Sequence, residues 1–334
     1  MHSEPAPSTQ IPEDGLICAF EFPGDGRNRD LKTSDIAAAL SKPSSIVWLH
    51  ANVAHAGTLR WLTRSDWIPE TLRDAIEKYD ERCRIEPTVD GLVVVVSDLT
   101  FEHDSDPSEV ATLWAYATDR LLLTARKHPL QTADRVRAEV RAGLRAESGT
   151  DLLETLFAFR MEALHRLVDE INGQVDEIED QVLRGRVTEQ REQLGGLRRD
   201  CARLRRSFTP ERTALQKVLA HPQPSLGDRV AGWLRSIADD LAFLTEEVIA
   251  LQERAKLLQE ELSARVAEDT GRKLNALTAL TAAFLPMTLI TGIWGMNVAG
   301  LPGGEDTGAF AWVILLILAA GGVTLGTLYL KKLL

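Results

Sequence analysis

The chain has 334 residues, 26% of them charged, and a formal net charge of -11, a balance that argues against nucleic acid as a partner and is compatible with drawing cations toward a surface. Cys18, Cys83 and Cys201 are far apart and share no metal-ligand spacing, which suits a reducing cytosol and excludes a sequence-local zinc site. The mean hydropathy of -0.11 hides an uneven distribution, because two uncharged apolar runs near the C-terminus leave the rest strongly polar and acidic.

In chain order, residues 1–14 are Pro-rich and polar and are expected to be disordered; they lack a basic region followed by an apolar stretch, so no cleavable signal peptide is expected. Residues 15–149 read as a cytosolic α/β domain. Leu16 to Phe22 and Ser45 to Asn52 read as strands, and Thr33 to Leu40 as a helix opened by Ser34 or Asp35. Thr58 to Leu62 and Pro69 to Tyr79 read as short helices, with Pro69 in the first turn of the second. Arg82 to Val89, Leu92 to Leu99, Ala111 to Thr118 and Arg120 to Ala125 are rich in Val, Ile, Thr and aromatic residues. With turns at Asp90-Gly91 and Asp119-Arg120, they predict an antiparallel meander, closed by a helix from Leu130 to Ala142. This mixed order predicts an α+β layer structure.

Residues 150–273 read as a helical pair followed by a stalk helix. Leu152, Leu156, Phe159, Leu164, Leu167, Ile171, Val175, Ile178 and Val182 form a seam with three- and four-residue steps. After a turn near Gly185, Thr188 to Leu219 forms a second helix, with Pro210 inside it and His221-Pro222-Gln223-Pro224 as its stop. Ser225 then caps a third, and no proline follows until Pro286, so one helix runs from Leu226 to Trp294. Its apolar seam is Ile237, Leu241, Leu244, Val248, Leu251, Leu258 and Leu262. On the opposite side Asp239, Glu246, Glu253 and Glu260 recur every seven residues, seconded by Asp240, Glu247 and Glu261. The seven-residue step continues through Ala267 and Leu274 to Thr281, Thr288 and Gly295, one stripe if the helix supercoils with neighbours. Such acids also suit an ordinary solvated face, and spacing alone does not choose.

Leu274 to Trp294 (residues 274–294) is an uncharged run of 21 residues, about 31 Å of helix and enough to cross a bilayer core. Residues 309–330 return across it. Arg272, Lys273, Lys331 and Lys332 flank the pair on one side, whereas the connecting residues 295–308 carry only Glu305 and Asp306, so both chain ends, including the basic tail 331–334, are expected in the cytoplasm. A buried hairpin of a soluble protein would need a comparable apolar surface elsewhere to cover it. Within the first span, Thr281, Thr288, Thr291 and Gly292 form a modestly polar face; several copies around an axis could enclose a pore with it, and Pro286 removes the amide partner of the Ala282 carbonyl. Back-bonding of the threonines to their own helix is the alternative. Gly322 and Gly326 read as packing positions.

The stretch Phe284-Leu285-Pro286-Met287-Thr288-Leu289-Ile290-Thr291-Gly292-Ile293-Trp294-Gly295-Met296-Asn297 resembles the first transmembrane helix and Gly-Met-Asn signature of the CorA metal-ion transporter family. A second crossing and a Lys-Lys tail agree with it. Val298-Ala299-Gly300-Leu301-Pro302-Gly303-Gly304 and Trp48 to His50, followed by Trp61-Leu62, resemble the zinc-transporting branch; the acidic Met-Pro-Glu type loop usual in the magnesium branch is absent.

The resemblance implies a CorA-like homopentamer in the inner membrane that carries divalent cations. In it the first spans line a pore, Asn297 forms the outer mouth with Gly295 and Met296, and Gly292, Thr288, Leu285, Thr281 and Leu277 descend the pore, Leu285 and Leu277 as constrictions. Glu305 and Asp306 lie in the external loop, and Asp239, Glu246, Glu253 and Glu260 line a cytosolic funnel. No resident cofactor is implied; Zn2+ is the favoured cargo, with Mg2+, Co2+ and Ni2+ open, because amide and hydroxyl oxygens suit hard or hydrated cations better than bare zinc. No ionisable side chain within either span offers a route for proton coupling. His50, His55 and His165 read as structural or solvated residues. A membrane-anchored enzyme is disfavoured because no Gly-rich phosphate loop, HExxH or GxSxG is present. A membrane-tethered scaffold is compatible with the same long helices.

Overall fold

The computed structural model describes residues 15–23, 27–100, 109–184, 190–221, 227–296, 302 and 308–330. The expected disorder of residues 1–14, the turn near Gly185, the start of the second long helix at Thr188, the stop at Pro222-Gln223-Pro224, the Ser225 cap and the tail Lys331-Lys332 lie outside the described residues.

Strands β1 (Leu16–Phe22), β2 (Arg29–Asp30), β3 (Ile46–Asn52), β4 (Arg84–Pro87), β5 (Gly91–Leu99), β6 (Val110–Thr118) and β7 (Leu121–Arg126) form one sheet in the order β2-β1-β3-β7-β6-β5-β4. The meander from β4 to β7 is antiparallel as predicted, and β7 then pairs in parallel with β3. The Asp90-Gly91 turn needs its glycine, since a Cβ at Gly91 would collide with the Ala117 carbonyl across the ladder.

Both faces of the sheet are covered, which explains the unbroken apolar run Leu92-Val93-Val94-Val95-Val96. Val93, Val95, Trp114, Tyr116, Leu49 and Leu123 pack with Ile36 of α1 (Thr33–Ser41), Leu62 of α2 (Ala56–Thr63) and Leu72 and Ile76 of α3 (Glu70–Glu77). The other face, with Trp48 and Leu122, lies under α4 (Gln131–Ala142) and α5 (Gly149–Leu183). Helix α5 starts at Ser148, whose hydroxyl accepts from the Asp151 N–H at 3.0 Å.

Local details depart from expectation. Strand β2 is too short to carry a pattern. Helix α1 is preceded by Lys32 without a side-chain cap; the Ser34 hydroxyl turns to Asp35 instead, at 3.0 Å. Pro69 stands one position earlier than expected, at the N-cap of α3. In α5 Phe157 takes the buried place expected of Phe159, which is half-buried with the Arg135 guanidinium 4.3 Å from its ring.

The chain forms two compact units, Met1–Lys256 and Leu257–Leu334, and α7 (Gly227–Trp294) contributes to both. In the first unit α6 (Gln190–Ala220) continues through Pro210. There α5 and α7 run side by side in the same direction: Phe157 meets Trp233 at 5.6 Å between ring centroids, His165 meets Phe243 at 6.3 Å, and Arg254 bridges Asp176 at 2.6 Å and also Glu179. Ile237, Leu241, Leu244, Val248, Leu251, Leu258 and Leu262, the expected seam of α7, are all buried.

The second unit holds the end of α7 and α8 (Ala309–Leu330). Among the described residues these are the two helices long and apolar enough to cross a membrane. Only 11% and 6% of their most apolar windows are buried, where the core helix of a soluble protein would be mostly buried. Small residues hold the pair together. Ala279 and Ala283 are buried, and Gly321 meets the Met287 methyl so closely that a Cβ would displace it. Gly322 and Gly326, expected as packing positions, face open space within this chain.

Candidate functional site

At 100° per residue, Ala276, Ala279, Ala283 and Met287 fall on one side of α7, and the residues of the candidate pore, Leu277, Thr281, Leu285, Thr288, Gly292 and Gly295, fall roughly 150° around the helix from them. The structure agrees. Ala279 and Ala283 are buried and Met287 half-buried, and with the exposed Ala276 they line an apolar pocket with Leu325 of α8, whereas Leu277, Thr281, Leu285, Thr288, Gly292, Gly295 and Met296 are all exposed. The structure therefore brings these residues onto one face that α8 leaves uncovered.

The threonines of this face do back-bond. Thr281 donates to the Leu277 carbonyl at 2.9 Å, Thr288 to the Leu285 carbonyl at 2.9 Å, and Thr291 to those of Met287 and Thr288 at 3.0 Å each. Back-bonding fixes which end of each hydroxyl faces outward. With its hydrogen committed to the helix, the oxygen presents lone pairs, so the stripe offers acceptors of the kind that suit a cation. Ala282, whose carbonyl loses its amide partner at Pro286, lies roughly 100° from the centre of the stripe, so hydroxyls rather than this carbonyl give the face its polarity.

The helix ends in turns in which the Gly295 N–H donates to the Thr291 carbonyl at 2.8 Å and the Met296 N–H to the Ile293 carbonyl at 3.3 Å. A Cβ at Gly295 would lie 3.0 Å from the Thr291 oxygen, so alanine there pushes on that turn. Asn297, Glu305 and Asp306 lie outside the described residues.

Asp239, Glu246, Glu253 and Glu260 are all exposed, away from the buried seam of α7. Glu253 meets Lys256 at 3.0 Å and Glu246 lies 3.9 Å from Arg212, while Asp239 and Glu260 have no ion pair among the described residues. Phe243 and Leu257, both 56% exposed, interleave with these acids, a feature that the acidic spacing alone did not bring out.

No group of three or more His, Cys, Asp or Glu side chains able to hold a metal ion occurs among the described residues. His50 is buried: its Nδ1 lies 2.8 Å from Thr124 Oγ1, and its Nε2 accepts from Arg126 Nε at 3.3 Å. Burial pushes the imidazole down to about 3, so it is a neutral member of the core.

A profile of the CorA-like Mg2+ transporter protein family matches residues 43–332. The zinc transport protein ZntB of Pectobacterium carotovorum subsp. carotovorum (strain PC1) is 24% identical over 315 residues, covering 94% of this chain and 95% of that one. ZntB of Yersinia enterocolitica serotype O:8 / biotype 1B is 24% identical over 307 residues, covering 91% and 92%. The structure of full-length CmaX superposes with a TM-score of 0.81 at 25% identity, over 96% of this chain and 98% of that one. The complete CorA magnesium transporter of Methanocaldococcus jannaschii superposes with a TM-score of 0.75 at 19% identity, over 94% and 98%, and shows the same fold. With 290 of its 334 residues inside the family profile, the chain belongs to the CorA-like Mg2+ transporter family.

Proposed function

We propose that this protein carries divalent cations across the inner membrane through the axis of a homopentamer, with zinc as the favoured cargo. The observation that carries the reading is the uncovered stripe from Leu277 to Gly292, polar by virtue of outward hydroxyl oxygens on an otherwise apolar span. A single helix cannot enclose a conduit, so the stripe acquires a purpose when copies of this chain surround an axis. Asn297 then forms the outer mouth, Leu285 and Leu277 the apolar constrictions, Glu305 and Asp306 the external approach, and Asp239, Glu246, Glu253 and Glu260 the cytosolic funnel. Both termini are cytoplasmic, with the bilayer as the other partner and no resident cofactor.

The zinc preference rests on the ZntB relatives. Magnesium, cobalt and nickel are the alternatives, since a mouth of amide and hydroxyl oxygens suits cations that keep part of their hydration. The test is flux into proteoliposomes for Zn2+, Mg2+, Co2+ and Ni2+, with and without a pH gradient. Uptake of Zn2+ above protein-free vesicles is expected. Uptake of Mg2+ alone would reassign the cargo, and no flux of any ion would favour a membrane-tethered scaffold.

A further inference from the structure

The cytosolic body holds a buried charge cluster that conduction does not use. Asp98, near the end of β5, is 1% exposed. Its Oδ1 accepts from the backbone N–H of Leu99 at 2.9 Å and from Thr132 Oγ1, in the first turn of α4, at 2.6 Å. Its Oδ2 is buried and meets no donor among the described residues. One residue earlier, the Ser97 carbonyl accepts from Arg160 Nε of α5 at 2.7 Å. Both terminal nitrogens of that guanidinium are taken by Glu211 of α6, at 2.6 and 2.7 Å. Cys83 also faces the pair, but burial pushes its thiol up to about 12, so it is neutral. The cluster thus sets two carboxylates, from β5 and α6, against one guanidinium out of water.

We propose that Asp98 carries a proton in the folded body, and that this proton leaves Arg160 committed to Glu211 and so latches α6 to α5 and to the sheet. An ionised Asp98 would keep one oxygen buried without a donor and would compete with Glu211 for the single cation, loosening α6. Burial pushes the Asp98 carboxyl above the ordinary carboxylate range, and Arg160 with the hydrogen bonds of Thr132 and Leu99 offsets this only in part. The folded state then binds a proton that the unfolded state releases. That contribution to stability is complete below the unfolded value and is lost as pH rises through the raised folded value.

The test uses the full chain in lipid nanodiscs. Infrared spectra near neutral pH should contain a protonated-carboxyl C=O stretch that Asp98→Asn removes. Between about pH 5.5 and about pH 8.5 the parent's apparent Tm should fall by a few degrees, and amide protection of α6, corrected for intrinsic exchange, should fall with it, while Asp98→Asn shows neither trend. An unchanged infrared spectrum, with Asp98→Asn melting lower by the same amount at every pH, would mean an ionised Asp98 paired with Arg160 and would overturn the proposal. Should the variant not fold, isotopically labelled aspartate in the parent decides: one carboxyl still protonated at neutral pH is expected, and ionisation of every aspartate contradicts the latch.

Discussion

The sheet-bearing body and the two candidate spans solve opposite solvent problems. In the body Trp48, Trp114 and Phe157 are at most 1% exposed, and the buried Arg160 and Glu211 neutralise each other. In the spans Leu277 and Leu285 are 60% and 63% exposed and Trp312 is 73% exposed. Exposed leucine is costly in water and costs little in lipid, so on the spans apolar exposure is ordinary and the hydroxyl-bearing stripe is the anomaly. In the body the relation is reversed, and an unpaired carboxylate is the anomaly. The difference teaches which unit is complete within one chain: the body closes its own core, whereas the face from Leu277 to Gly292 stays uncovered.

The sharpest way to break this comparison is at the mouth. If Asn297 forms the proposed mouth, Asn297→Ala should reduce uptake to the background of protein-free vesicles, with expression and oligomer size unchanged, because alanine has no amide oxygen to order the ion's hydration. Gly295→Ala should act in the same direction through the crowded Thr291 carbonyl. Parental uptake in Asn297→Ala would remove the filter role from this residue.

The body should fail by a different route. Arg160→Met leaves Glu211 buried without its partner and should cost about 3–5 kcal/mol, measured as lost folded protein in denaturant titration. Near-parental stability would mean that the pair is hydrated in solution.

Within the hairpin, Gly321→Leu drives a side chain into Met287 and should cost about 1–3 kcal/mol of hairpin stability, while Gly322→Leu, which faces open space in this chain, leaves the contact with α7 intact. Equal effects of the two would remove the distinction between the faces assigned to α8.

Smallest is the acidic stripe. Glu253 already meets Lys256, whereas Glu260 has no ion pair among the described residues. Glu253→Gln with Glu260→Gln should raise the apparent Tm of the metal-free oligomer slightly and weaken its dependence on Zn2+ or Mg2+, since closely spaced carboxylate rings repel unless cations screen them. Identical melting of parent and double variant, with and without metal, would make the stripe ordinary surface.

Much of the fold was legible because the signals were periodic. The β-branched run Val93 to Val96 and the Asp90-Gly91 turn marked the meander, and the long interval before Pro286 marked α7 as one helix. What escaped depended on partners distant in the chain. Phe157 and Phe159 stand two residues apart, and only the packing of α5 on the sheet and α7 decides which is buried. Gly321 and Gly322 are adjacent, and only the approach of Met287 selects between them. Asp98, Thr132, Arg160 and Glu211 come from four elements, so no local pattern joins them. At the site, the polar face of α7 could be read from its spacing and the external position expected of Glu305 and Asp306 from the basic flanks, whereas the role expected of Asn297 came from family resemblance.

The central claim is that α7 has one face on a conduit and another on α8, and single cysteines tested by an impermeant thiol reagent during Zn2+ flux address it most directly. Modification at Thr281, Thr288 or Gly292 should stop uptake, while cysteines at Ala279, Ala283 or Met287 should transport unmodified. Block at the second set with none at the first would place the conduit elsewhere and contradict the account.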